Sequence, residues 1–354
     1  MQKSLDIKLA EIRKNPNTRT FIIADAKDPD MARGIQALGP VMASDPRARA
    51  AKSPEAFRDG EVKYRTVADF HAVLREVVAH AQVDIMLMSA STNEQITIKE
   101  RLFDNSPVTP AARTNDTTDI WVVRGGTYIE EASRPFRSAT LDHIQCGKVE
   151  CKPEERVLGA NLGLYSVTFM NDLDRDYETL REFKRFREEA ERKNFRYFLE
   201  VFDPNVDSGI PPEKLGAFVN DNIVRSLAGV TERGRPLFLK MVYHGPKFTE
   251  ELAAYDPSVP VGILGGSAGT TYDAFKLIAE AQKYGARVAL FGRKINNAEH
   301  QLAFIEMLRA IVDGKVSPEE AVRAYHGILQ SLGIRPQRSL EDDSRLTDTS
   351  MSYA

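Results

Sequence analysis

Residues 259–293 read VPVGILGGSAGTTYDAFKLIAEAQKYGARVALFGR and hold a whole strand, helix and strand in one run. VPVGILGG (259–266) and ARVALFGR (286–293) are short β-rich stretches that end at glycine. Between them, TYDAFKLIAEAQKYG (271–285) carries apolar residues three and four apart, which predicts an amphipathic helix. Such a unit belongs to a parallel sheet, because a helical crossover returns the chain to the same end.

Six further runs have the same character. They are TFIIADA (20–26), VDIMLMSA (83–90), DIWVVRGG (119–126), LGLYSVTF (162–169), RYFLEVF (196–202) and LFLKMVY (237–243). Helical spacing recurs in VADFHAVLREVVAHA (67–81) and DYETLREFKRFREEAERKN (176–194). Eight strands with interleaved helices in 354 residues predict a (β/α)8 TIM barrel, for which about 250 residues are typical. The surplus falls in excursions at 27–65, 91–117 and 127–158, on the catalytic face of such a barrel. One barrel domain is expected over 1–335. Residues 336–354 are expected to form a polar tail, mobile or resting as an arm on a neighbouring subunit of a homo-oligomer. A doubly wound dinucleotide fold would show GxGxxG after its first strand, where this chain has Asp25-Ala26-Lys27-Asp28-Pro29.

Apolar residues at 42% and charged residues at 28% exclude collagen-like and disordered classes. With 48 Lys+Arg against 51 Asp+Glu the net charge is −3, so no overall field favours nucleic acid or an anionic membrane. No apolar run approaches the roughly 18 residues of a membrane span, and the amino terminus lacks a signal-peptide core, so a cytoplasmic location is expected. Cys146 and Cys151 are accordingly expected as reduced thiols. With His143 they form HxxCxxxxC, which falls short of the four ligands of a structural zinc site, and no metal is expected.

Chemistry gathers at the predicted strand ends. Gly265, Gly266 and Ser267 precede a helix, where backbone N–H groups and the helix amino terminus favour an anion. Gly292 and Arg293 end the neighbouring strand, and phosphate sites after strands seven and eight are frequent in this fold. Lys240 stands between Leu239 and Met241 in an otherwise apolar strand. Either it pairs with a carboxylate at a strand end, or desolvation and nearby cations supply a neutral amine able to form a Schiff base. Glu200 holds the equivalent place in YFLEVF, as a proton carrier or as the structural partner of Lys240. Asp25 closes the first strand, and Lys27 is a nearby cation. Arg124 in WVVRGG is a candidate substrate-facing cation at the end of strand three.

The succession FIIAD, YFLEVF, LFLKMVYHGP, VPVGILGGS and ALFGRKI resembles the Schiff-base (class I) aldolases of the deoxyribose-phosphate and tagatose-bisphosphate aldolase superfamily. The resemblance covers strand one and most of 159–296. It implies a barrel, a Schiff base at Lys240, an acidic partner at Glu200, a strand-one aspartate at Asp25, and phosphate held by Gly265, Gly266, Gly292 and Arg293. Its implied substrate is a phosphorylated keto sugar, with no cofactor. The chain departs from the pattern at Leu164, where many relatives have lysine, and at Ala26-Lys27. The alternatives are another phosphate-binding lyase, isomerase or thiolase-like enzyme, and a catalytically silent module that binds a phosphorylated ligand.

Overall fold

The computed structural model describes residues 1–50, 58–59, 62–266 and 269–348. Eight parallel strands close a barrel: β1 (Ile22–Lys27), β2 (Ile85–Met88), β3 (Thr109–Arg113), β4 (Leu162–Thr168), β5 (Arg196–Phe202), β6 (Leu239–Met241), β7 (Gly262–Gly265) and β8 (Val288–Phe291). Each pairs with its sequence neighbours, and β1 joins β8 to complete the ring. The expected (β/α)8 TIM barrel is the observed fold. Among the described residues no helix is long and apolar enough to cross a membrane.

Alternation along each strand divides the apolar residues into two sets. Ile22, Ala24, Leu164, Phe198, Phe238 and Leu290 fill the barrel interior, and Leu5, Leu9 and Ile12 of the first helix, α1 (Ser4–Lys14), pack with them. Ile23, Met86, Tyr165, Leu199 and Phe291 belong to the larger cluster between strands and helices. That outer layer is supplied chiefly by α2 (Val67–His80), α3 (Leu173–Arg192), α4 (Pro212–Leu227), α5 (Pro246–Tyr255), α6 (Thr271–Lys283), α7 (Gln301–Val312) and α8 (Pro318–Ser331).

Three expectations are corrected here. The third strand is TPAAR, not DIWVVRGG: residues 118–120 form a 3-10 turn, and Trp121 packs against Tyr128 and Phe136 with ring centroids 4.6 and 5.3 Å away. The apolar run thus serves an aromatic cluster on the excursion that follows β3. The tail is not free up to residue 348. Asp343 accepts a hydrogen bond from the Thr271 amide (2.7 Å) and pairs with His326 (2.9 Å), and the Thr347 amide donates to Asp273 (2.7 Å). Lastly, Cys146 and Cys151 are joined as a disulfide. The helix Leu141–Cys146 ends at Gly147, whose φ of 76° suits glycine and turns the chain back, bringing the two Cα atoms within 6.0 Å. His143 hydrogen-bonds Thr140 at the start of the same helix.

Candidate active site

The interior of the barrel changes from apolar to polar toward the carboxyl ends of the strands. Phe198 and Phe238 stack with centroids 4.7 Å apart, and two residues further along β5 and β6 come Glu200 and Lys240. Those two are direct register partners. Lys240 Nζ contacts Glu200 Oε1, and both side chains are almost fully enclosed. The other carboxylate oxygen accepts from Ser166 Oγ of β4 at 2.5 Å and meets Arg113 Nη2 of β3 at 3.4 Å. Arg113 in turn donates to Ser166 Oγ (3.0 Å) and to Asp28 just past β1 (2.6 Å). Asn115 holds Ser166 by its backbone on both sides, donating to its carbonyl (2.8 Å) and accepting from its amide (2.7 Å).

Electrostatics follow from this enclosure. Burial opposes the negative charge of Glu200, but the charges of Lys240 and Arg113 and the hydrogen bonds from Lys240 and Ser166 outweigh it, holding the carboxyl below its ordinary pKa. Burial likewise opposes the charge on Arg113, and Asp28 and Glu200 outweigh it in the other direction. Two carboxylates and two cationic side chains therefore lie enclosed together as a charge-balanced set.

Asp25 and Lys27 are not part of it. Ala24 and Ala26 occupy the inward positions of β1, so Asp25 faces outward beside its register partners Met86 and Phe291 of the outer cluster. There it pairs with Lys27 at 3.0 Å, and Lys27 also reaches Gln301 of α7 at 2.9 Å. Asp28 is the strand-one acid that enters the barrel mouth. Arg124 is exposed on the excursion after β3, and the buried cation contributed from the end of β3 is Arg113.

At the ends of β7 and β8, Gly265 lies beside Phe291, and a Cβ there would come within 2.1 Å of the phenyl ring, so glycine is required by packing alone. Gly266 has open space where a side chain would project. Gly292 leads into Arg293, the first residue of a short helix, Arg293–Asn296. Ser267 lies outside the described residues. At the amino terminus of α6 the Thr270 and Thr271 amides are already taken by Asp273 and Asp343 (each 2.7 Å). Among the described residues neither Arg293 nor Arg33, on the first excursion, has a carboxylate partner. Arg293 has its pKa lowered by desolvation and by the charge of Arg33.

Described parts of the excursions are tied to one another and to the strand ends. The segment after β3 is tied to the loop after β1 through the Val122 amide and the Ala32 carbonyl (2.7 Å), and to β4 through Asp119 and Thr168 (2.8 Å). Asn205, after β5, donates to the Ile129 and Glu131 carbonyls of the same segment (2.8 and 2.7 Å). His244, beyond β6, pairs with Asp203 at 2.9 Å.

Arg113, Ser166, Asn115, Asp28 and Arg33 were not picked out from sequence. Ser166 had a signal: it is the first polar residue on the inward series Leu162, Leu164, Ser166 of β4.

No family model matches the chain. A stretch of 80 residues, 23% of the chain, is 34% identical to 2-amino-3,7-dideoxy-D-threo-hept-6-ulosonate synthase 1 of Archaeoglobus fulgidus, and it spans only 30% of that protein's length. An archaeal fructose 1,6-bisphosphate aldolase aligns over 87% of this chain and 99% of its own, with a TM-score of 0.57 at 16% identity. A further archaeal enzyme of that name, solved with its catalytic lysine bound to the carbinolamine intermediate, gives 0.57 at 18% identity over 86% and 99%. Fructose-bisphosphate aldolase from Slackia heliotrinireducens gives 0.56 at 13% identity over 91% of each chain. At these identities the likeness is one of fold.

Proposed function

We propose that this barrel is a lyase of the class I aldolase type, making or breaking a carbon–carbon bond of a phosphorylated keto compound through a Schiff base at Lys240. The observation that carries this reading is the enclosed Lys240–Glu200 pair at the carboxyl ends of adjacent barrel strands. Similarity of fold to an archaeal fructose 1,6-bisphosphate aldolase solved with its catalytic lysine bound to the carbinolamine intermediate supports it.

The chemistry follows from the contacts. Attack on a carbonyl needs a neutral amine, and Glu200 Oε1 is the base touching the lysine nitrogen. The amine adds to the carbonyl carbon, and Glu200 returns the proton to the departing hydroxide as water. The iminium so formed accepts the electron pair of the bond between the α and β carbons as that bond breaks. The β-hydroxyl passes its proton to the carboxylate and leaves as an aldehyde carbonyl. Protonation of the enamine and hydrolysis restore the amine. Arg293, with the backbone at Gly266 and Gly292, is the anchor for the phosphate.

Borohydride added with dihydroxyacetone phosphate tests the reading. A reduced adduct is expected on the peptide containing Lys240, and none on the Lys240→Met protein. An active enzyme whose substrate yields an adduct on another lysine, or none, would sink the assignment.

A further inference from the structure

Between the first excursion and α2 lies a cavity of about 620 Å³ that the proposed reaction leaves unused. Its walls among the described residues are mainly apolar: Ile35, Leu38, Val67 and Phe70. Ile35 and Val67 are 59% and 60% exposed, large aliphatic groups open to water beside a ready-made hollow. Asp30 and His71 add polar atoms to the wall, but Asp30 already accepts from Ser89 at 2.6 Å. Arg65 is also on the wall and is fully engaged, donating to both oxygens of Asp45 and to the Leu38 and Asn296 carbonyls. Arg33 differs. It lines the cavity and has no carboxylate partner among the described residues, and the short helix that begins at Arg293 meets the same wall, where Asn296 donates to the Leu38 carbonyl at 3.1 Å. The charge of Arg33 is one cause of the lowered Arg293 pKa.

The cavity thus joins an apolar wall to the guanidinium of Arg33, and its Leu38 side rests on the helix that follows β8. Pockets that hold small organic molecules have this constitution, an apolar body with few polar groups that fix orientation. We propose that the cavity is a second compartment of the ligand site, receiving the apolar body of a small organic phosphate whose anionic group lies between Arg33 and Arg293. This rests on the reading of Arg293 as the phosphate anchor. It adds that ligands are selected by an apolar portion, with the first excursion supplying both the cation and the hydrophobic wall.

The test is calorimetric titration with inorganic phosphate, glycerol 3-phosphate and phenyl phosphate. Phenyl phosphate should bind at least tenfold more tightly than glycerol 3-phosphate, since one ring face leaves water. Val67→Gln, at an exposed position in the first turn of α2, should remove that advantage by making the wall polar without adding charge, while leaving inorganic phosphate unchanged. Arg33→Gln should weaken all three by about tenfold, the loss of one charge-assisted hydrogen bond. Equal binding of the two organic phosphates by the wild-type protein, or an advantage that survives Val67→Gln, overturns the compartment. Failure of inorganic phosphate to bind overturns the anchor reading as well, and neither result depends on trapping at Lys240.

Discussion

Glu200 of β5 and Lys240 of β6 are register partners joined as an ion pair, with 1% and 8% of their side chains exposed. A pair so enclosed is costly to assemble from hydrated ions and is kept in place by its other contacts, here Ser166 and Arg113. Glu200→Gln keeps the shape and a hydrogen-bonding oxygen but removes the proton acceptor. Turnover should fall by about 10² to 10⁴, the range for a general acid or base. Borohydride should still label Lys240, more slowly. Unchanged turnover would make the pair purely structural.

After Lys240, Arg113 is the charge that keeps that acid ionised. Its guanidinium is one of the causes that hold Glu200 below its ordinary pKa despite burial. The contribution of ionised Glu200 to stability is therefore present above the ordinary carboxylate range and lost as pH falls through the lower folded value. In Arg113→Met the folded pKa rises, so the acid limb of kcat/KM against pH should move to higher pH, and stability should fall by about 3 kcal/mol because Asp28 and Glu200 lose their partner. Arg113→Lys, which keeps the charge, should move the limb less. A limb unmoved in both variants would separate Arg113 from the chemistry.

The sequence made β5 and β6 legible because each sets one charged residue in an apolar run, and alternation then places that residue with its inward neighbours. At β1 the same alternation has no phase to read. FIIAD is apolar on both faces, and only the assembled barrel shows Ala24 and Ala26 facing inward and Asp25 facing outward. The third strand was hidden for another reason. TPAAR has a proline and two alanines and gains its structure from pairing with β2 and β4, whereas Trp121, Val122 and Val123 have strand-forming side chains but fold into a strap over the barrel mouth. Missing β3 meant missing Arg113. The residues proposed for phosphate lie at strand ends legible in the sequence, but the Asp343 carboxylate on the α6 terminus comes from a segment 72 residues further along, and no local pattern announces it.

Arg293 is the cation proposed to anchor phosphate from the end of β8, with Arg33 on the opposite side of the anion. Arg293→Ala should weaken binding of a phosphorylated substrate by about 1.5 to 3 kcal/mol, the value of a hydrogen bond to a charged group. An unphosphorylated analogue should be affected much less. Equal losses for both, measured as KM under conditions where chemistry is slow, would remove the assignment.

The Cys146–Cys151 bond closes a loop with a sequence separation of 5. In the chain-entropy account a loop this short stabilises by about 2 kcal/mol. Reduction with dithiothreitol should lower the denaturant midpoint accordingly, while labelling of Lys240 continues under native conditions. Loss of labelling on reduction would show that the strap over the mouth depends on this bond.

Asp25 and Lys27 provide the sharpest control, because they carry opposite charges inside the protein yet face away from Lys240. Burial raises the pKa of Asp25 and lowers that of Lys27, each only partly offset by the charge of the other. Both shifts run toward neutrality, the reverse of the Glu200 case. The linkage follows in two windows: stability declines as pH rises from the ordinary Asp value toward the raised one, and recovers as pH rises from the lowered Lys27 value toward that of free lysine. Removing one charge strands the other, so Asp25→Asn alone should cost about 3 to 5 kcal/mol. The double variant Asp25→Leu, Lys27→Met exchanges ions for apolar groups of similar volume and should recover most of that loss, with both pH windows flattened. Its Lys240 should still be trapped by borohydride at the wild-type rate. A double variant that folds normally but cannot be trapped would return Asp25 to the catalytic set from which its place on the outer face of β1 removes it.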